Sequence, residues 1–579
     1  MVDLDALNAV YTKGLALFRA GQPAAAVDAL KQAIALAPNF APAYNALGVV
    51  YAALGAGEAA LECYRHAALI KPDFAAPHIN RALVLSELRQ FEAALAALDQ
   101  AVALEPHNPD AHGNRGSVLS EMKQHAAAVA SIDRALALKP EVPFLRGTRL
   151  GNKMHICDWT ALERELGELC TRLDRGEPAS PPWPLLGLID DPRLQRMTAT
   201  TWAAAHCPPN PALGPIPPRP RSKRIRLGYF SADFHAHATG YLIAGLFERH
   251  DRDAFEVIAF SFGAETGDDT QRRLKAGCDK FVDLRRYSNR DAAALARNMN
   301  VDIAIDLKGY TENMRLDIFA YRAAPVQVNY LGYPGTSGAP YIDYIIADAE
   351  VIPAASREFY TERVITLPDC YQVNDRQRHA SDRVPDRAEL GLPAKGFVFC
   401  CFNNNFKITP TLFDVWMRIL AAVPGSVLWL IADNPAAVAN LRAYATKRGV
   451  DPTRLIFAPR VELSDHLARH RAADLFLDTH PYNAHTTASD ALWMELPLLT
   501  CAGRSFTGRV AASLLRTMGL SEMIAPTLKD YEVMAVQLAA DPARLAGVRR
   551  KLAQNRLTSP LFDTDRFARN IEAAYQRML

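Results

Sequence analysis

The feature that most constrains the fold of this chain is a set of three residue columns that repeat every 34 residues near its start. Small residues and prolines recur in step at Gly14, Gly48, Ala82 and Gly116, at Ala26, Ala60, Ala94 and Ala128, and at Pro38, Pro72, Pro106 and Pro140. Small residues let two helices pack closely, and proline ends a helix because it lacks an N–H and clashes with the preceding turn. The columns therefore predict four helix pairs over about residues 7–142.

Thirty-four residues is the period of tetratricopeptide (TPR) repeats, and the segment 43–72 resembles a repeat of that family. A stack of such helix pairs presents a concave groove suited to an extended peptide. The run Gly55-Ala56-Gly57 fits a loose dinucleotide-binding pattern, but it falls on a turn between two predicted helices with no strand before it. We therefore predict a TPR repeat domain over residues 1–142.

Composition and the N-terminal segment argue against several other classes. Lys and Arg number 65 against 63 Asp and Glu, which gives no overall charge signature of a nucleic-acid or membrane-surface protein. Nine cysteines without a C-x-x-C pair argue against a disulfide framework or a zinc site. The acidic start predicts no signal peptide, and no apolar run approaches the roughly 18 residues that span a bilayer. We expect a cytoplasmic protein with no nucleic-acid or membrane partner.

The composition changes twice after the repeats. Residues 143–222 combine helical patterns with prolines clustered at 208–220, which predicts a helical, proline-rich linker. From residue 223 short apolar runs alternate with helical patterns, which is typical of parallel, doubly wound sheets. We expect an N-terminal Rossmann-like lobe at 223–392 and a C-terminal Rossmann-like lobe at 393–579, with a ligand cleft between them.

One stretch of the second lobe, residues 478–493, carries a specific chemical signal. An apolar strand runs into a loop, and a helix then starts near Thr486. The start of a helix offers unpaired N–H groups and a positive dipole end, which suit a phosphate. Asp490 lies one turn further on the same face, where a carboxylate would bind ribose hydroxyls. The alternative is a threonine that caps the helix with an aspartate in its first turn.

The run His-Thr-Thr-x-x-Asp at 485–490 and the loop Leu-Gly-Tyr-Pro-Gly-Thr-Ser-Gly at 331–338 resemble the catalytic domain of the O-GlcNAc transferase family, which includes the SPINDLY-type enzymes. The resemblance covers most of residues 150–565. It implies a GT-B fold and a glycosyltransferase that inverts the sugar configuration without a metal ion. The expected fold class is therefore a superhelical α TPR array followed by an α/β GT-B fold, with two Rossmann-like lobes and a cleft.

The search for a metal site leads to the same expectation. Asp-x-Asp occurs at residues 3–5, 251–253 and 563–565, and none of these positions follows a predicted core strand. We therefore expect no cofactor and no metal, with the leaving diphosphate met by fixed donors. Lys407 follows the first strand of the second lobe and matches the family's diphosphate lysine, which implies a catalytic role; a solvated surface lysine is the alternative.

The resemblance assigns further residues by motif. His237 matches a cleft histidine and is a candidate general base, for which a substrate phosphate oxygen or a water chain is the alternative. His466 matches a histidine on the uracil side, with Arg469 on the same helical face. The expected nucleotide-sugar contacts are Asn404, Lys407, His466, Arg469, His485, Thr486, Thr487, Asp490, Gly332 and Pro334.

The resemblance also implies a peptide contact in the repeats. Asn80 and Asn114 precede the small column by two residues in consecutive repeats, where the family carries a ladder of asparagines that hold a peptide backbone. Ala46 takes that place in the second repeat, so the ladder is short. The alternative is that these side chains face solvent.

The function expected on this basis is transfer of GlcNAc from UDP-GlcNAc to Ser or Thr hydroxyls of protein acceptors bound by the TPR groove. Two alternatives stay open: a related transferase that uses GDP-fucose or glucosylates Asn, and a non-catalytic TPR scaffold with a vestigial nucleotide-sugar domain. The sequence leaves the donor sugar, the natural acceptors, the general base and the oligomeric state undecided.

Overall fold

The computed structural model describes residues 3–220, 222–383 and 385–579 and divides the chain into two compact units, Met1–Lys153 and Met154–Leu579. No helix in these described ranges is long and apolar enough to cross a membrane.

The first unit is a series of helix pairs. Its helices are α1 (Leu4–Arg19), α2 (Pro23–Leu36), α3 (Ala41–Ala53), α4 (Gly57–Ile70), α5 (Ala75–Glu87), α6 (Phe91–Leu104), α7 (Pro109–Glu121) and α8 (His125–Leu138), and α9 (Leu145–His155) contains the boundary to the second unit. The second helix of each pair ends two residues before the repeating proline. The four predicted helix pairs are therefore confirmed.

The repeating small residues are needed because the paired helices touch there. A Cβ atom added to Gly48 would lie 2.5 Å from Tyr64 Cε1, and one added to Gly116 would lie 2.4 Å from Ile132 Cγ1. The alanines of the second column are completely buried in the same contacts. Both distances are far below van der Waals separation, so only glycine fits at these positions without displacing the partner helix.

The second unit begins with helices that precede its sheets. These are α10 (Leu162–Asp174), α11 (Pro182–Leu188) and α12 (Pro192–His206). Asn434 Nδ2 donates a hydrogen bond to the His155 carbonyl oxygen at 2.8 Å, and the Trp159 ring packs on Tyr444 with centroids 4.6 Å apart. From Met154 onwards, the segment that the sequence indicated as a linker thus packs as part of the second unit.

The first lobe of this unit is a seven-stranded parallel sheet in the order β3-β2-β1-β4-β5-β6-β7. Its elements are β1 (Ile225–Ser231), α13 (Ala238–Arg249), β2 (Phe255–Ser261), α14 (Asp269–Ala276), β3 (Lys280–Asp283), α15 (Asn289–Asn298), β4 (Ile303–Asp306), α16 (Asp317–Ala320), β5 (Val326–Asn329), β6 (Tyr344–Asp348) and β7 (Arg363–Leu367).

The second lobe is a six-stranded parallel sheet in the order β10-β9-β8-β11-β12-β13. Its elements are β8 (Val398–Cys401), α17 (Pro410–Ala422), β9 (Val427–Ile431), α18 (Pro435–Lys447), β10 (Leu455–Ala458), α19 (Leu463–Arg469), β11 (Leu475–Leu477), α20 (Thr486–Trp493), β12 (Leu498–Cys501), α21 (Val510–Thr517), β13 (Ile524–Ala525), α22 (Leu528–Ala540) and α23 (Pro542–Asn555). Strands such as β2 and β9 are buried along their whole length, as parallel strands covered on both faces should be. The predicted pair of Rossmann-like lobes is confirmed.

The last helix, α24 (Thr564–Met578), returns from the second lobe and packs on the first. The Tyr575 hydroxyl lies 3.0 Å from the Tyr229 hydroxyl of β1, and Glu572 Oε1 lies 2.9 Å from His250 Nδ1. Both tyrosines and the histidine are buried. The end of the chain therefore completes the core of the first lobe.

Candidate active site

The carboxyl ends of the parallel strands carry the predicted site residues, as expected for a doubly wound fold. His237 follows β1, the glycine loop 331–338 follows β5, Lys407 follows β8, and the loop 478–485 joins β11 to α20.

Lys407 is buried at the end of β8. Its Nζ donates to the Asn483 carbonyl oxygen at 2.9 Å and lies 3.9 Å from the centroid of the Tyr482 ring. Among the residues that the structure describes, no carboxylate lies within 4 Å of this nitrogen. Burial lowers the pKa of Lys407, and the negative charge of Asp478 opposes that effect. An ammonium carries three protons, so the single carbonyl leaves donors available to an anionic ligand.

The start of α20 lies beside this lysine. His485 occupies the position before the helix and makes no capping bond, while the Thr487 hydroxyl donates to the Asn403 side-chain oxygen. Within the described residues, the backbone N–H groups of Thr486 and Thr487 donate to no protein acceptor. Threonine is therefore not the cap of this helix, and its first two N–H groups are without a protein acceptor in the described part of the chain.

The loop that leads to α20 is fixed by Asp478. Its carboxylate accepts hydrogen bonds from the Ala484 N–H at 2.6 Å, the Thr479 N–H at 2.7 Å and the Thr500 hydroxyl at 2.6 Å. This side chain was not predicted as a site residue. Because it binds the loop rather than facing solvent, it holds the helix start in place.

His485 lies between Tyr482 and the next loop of the lobe. Its Nε2 lies 3.3 Å from the Thr507 carbonyl oxygen, which only accepts, so Nε2 carries the ring proton. Burial and the nearby Lys407 charge hold the pKa of His485 well below its usual value, so the ring is neutral. In this state Nδ1 is an acceptor.

Asp490 is paired with an arginine that the sequence did not indicate. Arg378, from the chain between the two lobes, donates to Asp490 Oδ1 at 2.5 Å, and both side chains are buried. Burial raises the pKa of Asp490 to about 6, and the arginine charge opposes this. One carboxylate oxygen is thus held by the protein, and the other remains for the hydroxyl partner expected at this position.

His466 and Arg469 form a second cluster on α19. His466 meets the Phe402 ring edge-on at 5.4 Å, and its Nδ1 is hydrogen-bonded to Arg469 Nη2. Arg469 itself is buried and donates to the Pro459 carbonyl oxygen at 2.8 Å. Burial and neighbouring cationic groups lower the pKa of His466 to about 2, so the ring is neutral. Arg469 therefore orients the His466 ring through this hydrogen bond.

Asn404 lies at the exposed edge of the same lobe, three residues before Lys407. Its side-chain oxygen accepts a hydrogen bond from Arg460 Nη2 at 2.9 Å. Arg460 in turn pairs with Asp433 at 2.5 Å. The Asn404 amide is therefore turned toward this surface ion pair.

His237 lies at the start of α13, beside a buried ion pair of the first lobe. Its Nδ1 accepts a hydrogen bond from the Thr239 N–H at 3.2 Å and lies 3.4 Å from Asp233 Oδ2. The same carboxylate oxygen accepts from Lys308 Nζ at 2.6 Å. Desolvation lowers the pKa of His237, the Asp233 charge raises it, and the Lys308 charge lowers it. Neither Asp233 nor Lys308 was predicted as a site residue.

The glycine loop of the first lobe approaches another strand end too closely for a side chain. A Cβ atom on Gly332 would lie 1.8 Å from the Leu307 carbonyl oxygen, and the preceding Leu331 has a left-handed φ of 68°. Pro334 is buried in the loop. Glu362 fixes the loop further by accepting from the Ser337 N–H at 2.6 Å. The loop is therefore a rigid wall of the first lobe.

Several hydrogen bonds link the two lobes and the chain that connects them, and two of these involve serines of α20 and α21. The Ser513 hydroxyl donates to Asp348 Oδ2 at 2.6 Å, and Gln372 Nε2 donates to the Ser489 hydroxyl at 2.6 Å. Ser489 belongs to α20. The helix whose start lies beside Lys407 is therefore tied to the chain that connects the lobes.

The two asparagines predicted as peptide contacts, Asn80 and Asn114, lie on the first helices of the third and fourth pairs. Asn80 Nδ2 donates to Asn45 Oδ1 at 3.0 Å, and Asn114 lies half-buried on α7. Asn45 thus contacts a predicted ladder residue, and it lies one position before Ala46, which occupies the ladder column in the second repeat.

The two Rossmann-like lobes, each with a parallel sheet, have the architecture expected of the GT-B type. The model of glycosyl transferase family 41 matches residues 217–384 and 376–571, and tetratricopeptide repeat models match 14–55, 41–74 and 79–143. The chain belongs to glycosyl transferase family 41.

Individual relatives agree with this assignment. The chain is 37% identical over 392 residues to a probable UDP-N-acetylglucosamine–peptide N-acetylglucosaminyltransferase SEC of Arabidopsis thaliana, covering 65% of this chain and 40% of the relative. It is 29% identical over 462 residues to the UDP-N-acetylglucosamine–peptide N-acetylglucosaminyltransferase of Caenorhabditis elegans, covering 60% and 40%. The chain thus spans about 40% of the length of these curated relatives.

One solved structure is similar over the whole chain. It is a mutant of the Thermobaculum terrenum O-GlcNAc transferase, with a TM-score of 0.69, 28% identity, and coverage of 100% of this chain and 98% of that one. Like this chain, that protein has an O-GlcNAc transferase-type fold, and the similarity extends over both the repeats and the lobes.

Proposed function

We propose that this chain transfers GlcNAc from UDP-GlcNAc to Ser or Thr hydroxyls of protein acceptors, with inversion at the sugar and without a metal ion. Family membership and the names of its relatives support the donor and the acceptor class. The observation that carries the proposal is the buried Lys407 ammonium beside the free N–H groups of Thr486 and Thr487. Together they form a fixed site for a diphosphate.

The reaction is a single displacement. The acceptor oxygen bonds to the anomeric carbon as the bond from that carbon to the β-phosphate oxygen breaks, and UDP leaves with the bonding electrons. Lys407 and the two N–H groups meet the charge that develops on the diphosphate, where fixed donors in a dry site are most effective. Asp490 holds the ribose through its unpaired carboxylate oxygen, and His466 lies on the side of the uracil.

The geometry at His237 offers two routes for the hydroxyl proton. In the form that caps α13, Nδ1 accepts from Thr239, so Nε2 carries the proton and donates to a substrate oxygen. The hydroxyl proton then passes to a phosphate oxygen or to water. If Nδ1 instead carries the proton and donates a hydrogen bond to Asp233, Nε2 is unprotonated and acts as the base.

The repeats bind the acceptor, with Asn80 and Asn114 as contacts for the peptide backbone.

Calorimetric titration with UDP, UDP-GlcNAc, UDP-glucose and GDP-fucose, each with and without a chelator, tests the donor site. We expect chelator-insensitive binding of the UDP compounds. Because a hydrogen bond to a charged group is worth about 1.5–3 kcal/mol, Lys407→Met should weaken UDP binding by about 10- to 100-fold.

Lys447→Met is the matched control. Lys447 is also stacked on a tyrosine, with Nζ 5.2 Å from the Tyr444 centroid, but it is exposed on α18 and should leave binding unchanged. Preference for GDP-fucose would reassign the donor, and binding that a chelator abolishes would overturn metal independence. Absence of nucleotide binding would instead favour a non-catalytic TPR scaffold. Transfer to Ser/Thr peptides and the anomer of the product are then measured by mass spectrometry and NMR.

A further inference from the structure

We propose that Trp183 forms one wall of the pocket for the donor sugar and contributes to the choice of sugar. The proposal rests on the function proposed above. Trp183 lies on α11, in the part of the second unit that precedes the region matched by the family model.

Helix α11 packs against the site residues of both lobes. The Trp183 ring centroid lies 6.5 Å from that of Tyr333 in the glycine loop of the first lobe. It lies 6.1 Å from Phe406 and 6.2 Å from Tyr482, both of the second lobe. Gly187 of the same helix packs directly on Phe406, because a Cβ there would lie 3.3 Å from Cδ2 of that ring. Trp183 is therefore held where the walls of the two lobes meet.

This place is adjacent to the diphosphate site. The Tyr482 ring contacts both Trp183 and the Lys407 ammonium, whose Nζ is 3.9 Å from the ring centroid. A sugar bonded to a β-phosphate that Lys407 binds lies within about one ring width of this ammonium. Since Trp183 also contacts Tyr333 of the glycine loop, it borders the space that such a sugar has to occupy.

The exposure of the four rings supports this assignment. Tyr333, Phe406 and Tyr482 are buried, with 3%, 8% and 4% of their surface exposed, whereas Trp183 is half-buried. Its indole N–H has no hydrogen-bond partner among the described residues, and the atom is not buried. The three tyrosine and phenylalanine rings thus form a support, and Trp183 keeps accessible surface and a free donor.

An indole with these properties suits a pyranose with an acetamido group. Its ring face packs on the apolar C–H face of the sugar, and its N–H donates to a hydroxyl or to the acetamido carbonyl. The ring is large and has only two rotatable bonds, so ordering it costs little entropy. Binding to UDP alone does not use this surface.

The test compares UDP with UDP-GlcNAc by calorimetry in the wild type, Trp183→Leu and Trp183→Phe. We expect the Kd for UDP to stay within twofold in every variant. The Kd for UDP-GlcNAc should rise about tenfold in Trp183→Leu and less in Trp183→Phe, which keeps a ring but loses the N–H donor. Tryptophan fluorescence should change on addition of UDP-GlcNAc beyond the change with UDP, and Trp183→Phe should abolish that difference.

Trp202→Leu is the matched control, since Trp202 is also half-buried in this unit but stacks on the exposed His206, with centroids 3.8 Å apart. It should leave both dissociation constants unchanged. Equal weakening of UDP and UDP-GlcNAc in Trp183→Leu, or a change in the acceptor KM alone, overturns the proposal, as does an unchanged ratio of the two constants. Failure of the wild type to bind UDP instead refutes the donor site itself, so the two failures are distinguishable.

Discussion

Asp190 is the residue through which the segment before the sheets holds a loop of the active site. Its carboxylate accepts from the Arg504 N–H at 2.7 Å, the Ser505 N–H at 2.8 Å and the Ser505 hydroxyl at 2.7 Å. The same loop, 503–508, presents the Thr507 carbonyl oxygen to the Asn483 N–H at 3.0 Å. Asn483 is the carbonyl partner of Lys407, so loss of the Asp190 contacts should reach the diphosphate site.

The structure sets the size of the effect. Each bond is worth about 1 kcal/mol net where solvent takes over part of it, so Asp190→Ala should cost about 3 kcal/mol of local stability. Local opening controls amide exchange, and about 1.4 kcal/mol corresponds to a factor of ten. The amides of loop 503–508 should therefore exchange about 100-fold faster. Asp190→Asn, which loses one of the three bonds, should show a change of about fivefold.

Hydrogen exchange read by mass spectrometry over peptides that cover the loop 503–508 measures this directly, and calorimetry should show weaker UDP binding in Asp190→Ala. The neighbouring Asp191 provides the control, because it accepts from the Arg193 N–H at 2.9 Å and the Leu194 N–H at 3.3 Å at the start of α12. If Asp191→Ala accelerates exchange in the loop as much as Asp190→Ala does, or if Asp190→Ala leaves it unchanged, the reasoning is refuted.

Three further perturbations test other parts of the molecule. Gly116→Ala places a Cβ 2.4 Å from Ile132 Cγ1 of the paired helix and should destabilise the repeats by about 1–3 kcal/mol in urea unfolding. The control Gly167→Ala, on α10 with open space around it, should be neutral or stabilising. Equal effects of the two substitutions would contradict the packing argument. Lys308→Met removes a positive charge that lowers the pKa of His237. That pKa should therefore rise, and the acidic limb of the pH–rate profile should move to higher pH. An unmoved limb would exclude an effect of Lys308 on the titration of His237 in the reaction. Glu572→Ala leaves a buried histidine without its carboxylate and should lower the melting temperature of the second unit; an unchanged melt would show that α24 contributes little to it.

Those parts of the fold that depend on local periodicity were predictable. The 34-residue columns predicted the helix pairs because each small residue meets the partner helix at the same offset, as Gly48 meets Tyr64. The threonine pair and Lys407 were predictable as positions because each follows an apolar run that becomes a strand. Polar residues at such strand ends face the cleft in any doubly wound sheet.

Contacts between distant segments were not predictable from one sequence. Arg378 meets Asp490 across 112 residues, and Asp190 meets Ser505 across 315. Neither pair carries a spacing signal, because the fold alone brings its members together. The proline-rich composition of residues 143–222 also concealed that most of this segment packs against the lobes. The proton position on His485 depends on one carbonyl, that of Thr507, which only the fold places there.

The return of α24 to the first lobe ties the order of synthesis to the order of folding. β1 is made near residue 230, yet its buried Tyr229 hydroxyl meets Tyr575, about 350 residues later. Until that helix leaves the ribosome, the first lobe exposes the apolar face that α24 covers, while the repeats can already stack because their contacts are local. The nascent chain therefore carries stacked repeats and an unfinished first lobe until α24 emerges, and that lobe is where chaperones should bind.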